Sequence, residues 1–302
     1  MLYSKVYIDS FGYELAPNVV TSADIEKRLE PFYEKLHFKK GQLESLTGIY
    51  ERRFWDYKHT MHEGAVKAGN KAIEASEISP EDIGMVIYGG VCRDNLEPAT
   101  ACAVAHKLGI GRCAQIYDVS NACLGVLNGM IQTANAIELG HIKAGLVVSC
   151  ESSRQIIDST IKRLLELKDM DTFKTTLATL TGGSGAVAVL LTDQSFSNSG
   201  HRFLGGVMRN ATEHYKLCRW GPDTGMPASG LHVMETDSVG VLQNGVALAI
   251  DTYKDFKKEL SLTPDQPDKV ICHQVGEAHQ NSILDAIGIS KEKDFITYPF
   301  LG

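Results

Sequence analysis

The chain has 302 residues, with 30 Lys and Arg against 37 Asp and Glu, and 43% of it is hydrophobic. That composition belongs to a soluble globular protein long enough for two domains, and it excludes fibrous and disordered architectures. A net charge of −7 leaves no broad cationic surface for a phosphate backbone, so no nucleic-acid partner is expected, and no apolar run approaches a membrane span.

β-like and α-like segments alternate along the chain. Residues 5–8 read as a strand and 22–29 as a helix opened by a Ser or Thr cap. Helical spacing covers 63–75, and 83–88 is a short apolar strand before Gly89 and Gly90. A helix over 101–108 ends at Gly109, a strand spans 115–119, and a long helix over 124–139 stops at Gly140. Strands at 146–149 and 186–191 follow, with a polar, amphipathic helical excursion over 158–180 between them. These strands are near-continuous runs of Val, Ile and Leu, the pattern of a mostly parallel sheet covered by helices on both faces. After a polar break at 194–200 come a strand (203–208), a helix (241–260), a strand (270–273), a helix (278–287) and a strand (294–298). The second alternation resembles the first in grain and predicts a duplicated α/β fold, with halves 1–196 and 197–302. The last strand runs into Tyr298-Pro299-Phe300-Leu301-Gly302 and stops. We therefore expect the second half to continue beyond the sequence given.

Three motifs are decoys. Gly109-Ile-Gly111-Arg-Cys-Ala114 fits a dinucleotide fingerprint in letters, but it leaves a helix and enters a strand, the reverse of what that site needs. Thr181-Gly-Gly-Ser-Gly185 lacks the Lys of a phosphate loop and reads as a turn before a buried strand. His59 and His62, three residues apart with no third ligand near, read as surface histidines, so no metal is expected.

Seven cysteines, an odd number without a Cys-x-x-Cys pair, follow a start with one Lys and no apolar run long enough to read as a signal peptide. Thiols in a reducing cytoplasm are expected, most of them buried. Cys123 stands apart. It lies in Tyr117-Asp-Val-Ser-Asn-Ala-Cys-Leu-Gly-Val126, where a strand turns through small residues into the long helix. A helix N-terminus stabilises a thiolate by about 0.3–1 kcal/mol, up to about 2 when partly buried, so a neighbouring His would have to supply the rest of the activation. His273 is the candidate partner, at the end of its own strand and before a helix, where α/β folds bind ligands. The alternative for Cys123 is a small residue fitted to a tight crossing. His279, on the following helix, reads as structural or exposed.

These stretches resemble the thiolase superfamily of condensing enzymes, and within it the β-ketoacyl-acyl-carrier-protein synthase III family. The matching residues are Thr47-Gly-Ile-Tyr-Glu-Arg-Arg53, Asp118-Val-Ser-Asn-Ala-Cys123-Leu-Gly125, Gly182-Gly-Ser-Gly-Ala186 and His273-Gln274, in family order. Arg93-Asp-Asn-Leu-Glu97-Pro98 is similar to the OleA-like branch, which condenses acyl-CoA in long-chain olefin and ketone biosynthesis. The resemblance implies a five-layered αβαβα fold of two duplicated halves, a homodimer, and no permanently bound cofactor. It implies a Claisen condensation of acyl thioesters, carried by CoA or by acyl carrier protein, in fatty-acid or related lipid biosynthesis. It makes Cys123 the acyl-accepting nucleophile, His273 the stabiliser of the enolate, and Glu97 a general base reaching across the dimer. It would place a catalytic Asn directly after Gly302. Two positions depart from the pattern. Leu43-Glu-Ser-Leu46 stands where an aromatic residue and an Arg usually help hold CoA, and Gly276 stands where the His-Gln motif usually continues to Asn. For Glu97 the alternative is a solvated loop carboxylate. For the chain, the alternatives are acyl transfer to an oxygen or nitrogen nucleophile, or a non-catalytic partner subunit of the same fold.

Overall fold

Strand β1 (Val6–Leu15) opens a computed structural model that describes residues 1–222, 232–263 and 266–302. β2 (Asn18–Thr21) leads into helix α1 (Ser22–Arg28), where Thr21 and Asp24 cap the first turn by bonding each other's backbone N–H. Helices α2 (Glu30–Leu36) and α3 (Gln42–Thr47) precede β3 (Glu51–Phe54), which pairs antiparallel with β2. Helix α4 (Met61–Ser76), β4 (Met85–Gly89), α5 (Thr100–Leu108), β5 (Gln115–Val119), α6 (Gly125–Glu138) and β6 (Ala144–Glu151) follow. Helices α7 (Arg154–Leu167) and α8 (Met170–Thr176) separate β6 from β7 (Gly185–Asp193). The hairpin strands β8 (Cys218–Pro222) and β9 (His232–Thr236), then α9 (Ser238–Glu259), α10 (Glu277–Ile287) and α11 (Tyr298–Leu301), complete the described elements.

The chain packs as two units. The first comprises Met1–Pro17, Trp55–Ser152 and Ser184–Gly205, and the second Asn18–Phe54, Ser153–Gly183 and Gly206–Gly302. A five-stranded sheet, in the order β1-β7-β6-β4-β5, is the centre of the first. Alternate side chains of one strand serve two cores. Val86 and Tyr88 of β4, with Leu146, Val148 and Cys150 of β6, pack with the Ala-rich faces of α4 and α5. Their neighbours Met85, Ile87 and Val147 face the opposite way, onto Met130, Ala134, Ala136 and Ile137 of α6. Strands buried on both faces therefore carry no polar alternation. The second unit gathers Ile25, Leu29, Phe32 and Leu43 with Ile157, Ile161, Leu164 and Phe173 in one aromatic-rich core.

Five expectations need correction. The sheet is mixed, not mostly parallel. β4 pairs parallel with β5 and β6, but β7 runs antiparallel to both β6 and β1. A single crossover helix connects the parallel strands, whereas the stretch from β6 to β7 passes through α7 and α8 and re-enters at the end where β6 finishes, Gly185 opposite Glu151. Residues 203–208 form no strand: Gly205 has φ 141°, and only isolated bridges join Leu2 to Gly205 and Tyr7 to Arg202. Residues 270–273 likewise form a single bridge, Val270 to Asp294, with no further ladder partner among the described residues. Residues 294–298 share that one bridge, after which Pro299, in the first turn of α11, suits a helix start. In β1 the strand runs on well past residue 8, since Ser10 and Gly12 break the apolar signal there.

Gly12 exists for a close crossing. A Cβ on it would lie 1.9 Å from the carbonyl oxygen of Ala68 and 2.8 Å from the nitrogen of Ala72, both on α4. Beside it, Ser10 Oγ donates to the carbonyl of Ala72 at 2.6 Å. Gly12→Ala should therefore cost about 1–3 kcal/mol of stability by overpacking, read as a lower chemical-denaturation midpoint. Gly185→Ala, whose new methyl would meet nothing nearer than Glu14 O at 3.6 Å, should be close to neutral.

Candidate active site

The loop after β5 is built to turn sharply. Ala122 takes a left-handed φ of 45°, Ala122–Leu124 forms a single 3₁₀ turn, and α6 then starts at Gly125. The turn is pinned from both sides. Asn121 donates its side-chain amide to Asn128 Oδ1 on α6, and its carbonyl accepts the N–H of Leu124 at 3.0 Å. Gly125 crosses Gly89 so tightly that a Cβ on Gly125 would lie 2.8 Å from the Gly89 carbonyl carbon and 2.9 Å from the nitrogen of Gly90. Cys123 rides on this turn and is exposed. It sits at the carboxyl end of β5, where ligands approach open α/β sheets.

The other thiols lack that setting. Most of the seven were expected inside, but only Cys150 is buried, and four are exposed. Cys102 lies on α5, Cys113 ahead of β5 at its amino end, and Cys218 on β8, so each falls on an outward position of its element. Burial pushes the thiols of Cys92 and Cys150 well above their usual range, with Glu151 adding to the effect, which keeps both protonated. His59 and His62 are not surface histidines. His59 stacks on Trp55 with ring centroids 4.0 Å apart, and burial lowers its pKa. His62 Nδ1 lies 2.7 Å from Asp94 Oδ2. Among the described residues no cluster of three or more His, Cys, Asp or Glu could hold a metal ion.

Glu97 belongs to the same unit as Cys123, on the loop between β4 and α5, and its side chain is exposed. His273 belongs to the second unit. It lies not at a strand end, as expected, but in an irregular segment between Val270 and α10, and Cys272 shares that correction. A side chain replaces the missing ladder. Gln274 Oε1 accepts the N–H groups of Thr297 at 2.7 Å and Tyr298 at 3.0 Å, while its amide donates to Phe295 O at 3.1 Å. Gly276 also has a local cause. Its φ is 128°, and a Cβ there would stand 2.8 Å from the carbonyl oxygen of Thr47. His279 packs edge-on against His273, ring centroids 5.9 Å apart. Desolvation by the surrounding protein lowers the pKa of His273 below its ordinary value, which favours the neutral imidazole, a hydrogen-bond donor without charge.

The Thiolase, N-terminal domain family matches residues 56–199. The acyl-CoA:acyl-CoA alkyltransferase of Shewanella oneidensis is 49% identical, covering 100% of this chain and 87% of that protein. The protein of the same name from Xanthomonas campestris is 35% identical over 97% of this chain and 84% of its own length. A crystal structure of Xanthomonas campestris OleA with bound lauric acid and lauroyl-CoA superposes with a TM-score of 0.91 at 34% identity, covering 100% of this chain and 87% of that one. The chain belongs to the OleA family of thiolase-like condensing enzymes. Its α/β fold is the thiolase-like fold that the motifs implied. No described helix is long and apolar enough to cross a membrane.

Two outcomes follow from this geometry. Gly125→Ala should push α6 away from β4 and cost about 1–3 kcal/mol of stability by overpacking, read as a lower chemical-denaturation midpoint. A nuclear magnetic resonance titration should place His273 below the ordinary imidazole value of about 6.5. Because the folded chain then takes up this proton less readily than the unfolded chain, His273 subtracts from stability as pH falls through that ordinary value.

Proposed function

We propose that the protein joins two acyl-CoA thioesters by a nondecarboxylative Claisen condensation, with Cys123 as nucleophile, His273 as enolate stabiliser and Glu97 as general base. The observation that carries this assignment is the exposed Cys123 on its pinned turn after β5, in a chain of the OleA family. The Cys123 sulfur attacks the first acyl carbonyl, the carbon–sulfur bond to CoA breaks, and CoA leaves as the thiol with the cysteine's proton. Glu97, contributed across a homodimer, removes an α-proton from the second acyl-CoA. The neutral imidazole of His273 donates to the enolate oxygen of the second acyl-CoA, while backbone N–H groups of the turn hold the negative charge that forms on the acyl-Cys carbonyl oxygen. The enolate carbon attacks the acyl-Cys carbonyl, a carbon–carbon bond forms, and the Cys123 sulfur departs and regains a proton from Glu97. The product is a β-ketoacyl-CoA for lipid or olefin biosynthesis. Residues 1–196 and 197–302 would be the two duplicated halves, the first supplying Cys123 and the second His273.

OleA itself has been crystallised with a lauroyl thioester, which is why CoA rather than acyl carrier protein is assigned as the carrier. Incubation with lauroyl-CoA should add a lauroyl mass to Cys123, and Cys123→Ala should stay unlabelled; a labelled Cys123→Ala protein would defeat the assignment. Mixing Cys123→Ala with Glu97→Ala subunits should restore condensation, because each mixed dimer holds one intact pair. No recovery in verified mixed dimers counts against the role of Glu97 across the dimer.

A further inference from the structure

The loop that carries Glu97, residues 90–99, has no regular structure, yet it is fastened at three places by carboxylates. At its start, Glu151 on the end of β6 accepts the N–H groups of Val91 at 2.6 Å and Cys92 at 3.2 Å. In its middle, Asp94 accepts the N–H groups of Met61 at 2.6 Å and His62 at 3.0 Å, the first two residues of α4, and bonds the His62 ring. At its end, Asp118 accepts the N–H groups of Thr100 and Ala101, both at 2.9 Å, where α5 begins. The side chain of Asp118 is only 6% exposed, and Arg93 approaches it to 3.9 Å.

Two of these carboxylates sit on the N-termini of helices, where backbone N–H groups have no partner within the helix and negative charge is favoured. What remains unfastened is the apex, Asn95 to Pro98, and it stands outward with Leu96 82% exposed. Asp118 also lies on β5, five residues before Cys123. One carboxylate thus ties the loop of the base to the strand that delivers the nucleophile.

We propose that Asp94 and Asp118 are positioning residues for the condensation: they hold the 90–99 loop so that Glu97 is presented at one place, without touching a reacting atom. The proposal rests on Glu97 being the base. Without these fastenings on either side of it, the short apex would carry the base over many positions, and the base would lose most of its effective concentration at the α-proton.

Kinetics of Asp94→Ala test this. Condensation should fall about a hundredfold in kcat, the cost of a misplacement of about 1 Å, with KM little changed and acylation of Cys123 by lauroyl-CoA at its native rate. Amide hydrogen exchange over 91–99 should accelerate, and adding Asp94→Ala to Glu97→Gln should cost little more than Glu97→Gln alone. Native condensation in Asp94→Ala, an equal loss of acylation, or a loss that multiplies with that of Glu97→Gln would overturn the proposal. Full activity in Glu97→Gln would sink the assignment of the base instead. The exchange measurement then stands alone, and unchanged protection of 91–99 in Asp94→Ala would show that the clamp does not fasten the loop. If Asp94→Ala does not fold, His62→Ala removes one of the three bonds and should give the same selective loss at about tenfold, the scale of one hydrogen bond; native condensation in that variant overturns the proposal.

Discussion

The first unit depends on the contact between Gly125 and Gly89. With no side chain on either residue, helix α6 begins against the backbone of β4 instead of a side chain's width away. That single approach sets where the turn after β5 must bend, which in turn forces Ala122 into a left-handed conformation and leaves Cys123 facing outward. A larger residue at either position would have to move the helix, and the thiol with it.

The two site segments are held by different chemistry. In the first unit, carboxylates on backbone N–H groups hold the Glu97 loop, and the same Glu151 that anchors Val91 helps keep the nearby thiols of Cys92 and Cys150 protonated. Burial raises the pKa of Glu151 itself, partly offset by those N–H groups. In the second unit a neutral amide, Gln274, does the holding, and the ring beside it stays uncharged.

Much of this was legible in the sequence. β4, β6 and β7 announced themselves because strands covered on both faces read as unbroken apolar runs, and Gly109 and Gly140 marked helix ends through their left-handed backbone. The turn at Cys123 was legible from its small residues between a strand and a helix. Other parts were not. Val270 to His273 has strand composition, but composition does not reveal whether a partner lies alongside. Glu97 came from the family resemblance alone, because a loop carboxylate before a Pro has no periodic signature. The hydrogen bonds of Asp94, Asp118 and Glu151 gave no local signal, since the partners are backbone N–H groups 32, 17 and 60 residues away, invisible to any local pattern.

The interleaving of the two units bears on how the protein comes into being. The chain passes from one unit to the other after Pro17, Phe54, Ser152, Gly183 and Gly205. Neither can be finished from a contiguous stretch emerging from the ribosome, since the first awaits β7 and the second awaits segments synthesised after it. Contacts of such long sequence separation make for slow assembly. A nick at any one of those passages would sever a strand of backbone that both units need, so proteolysis would not release either as an independent piece.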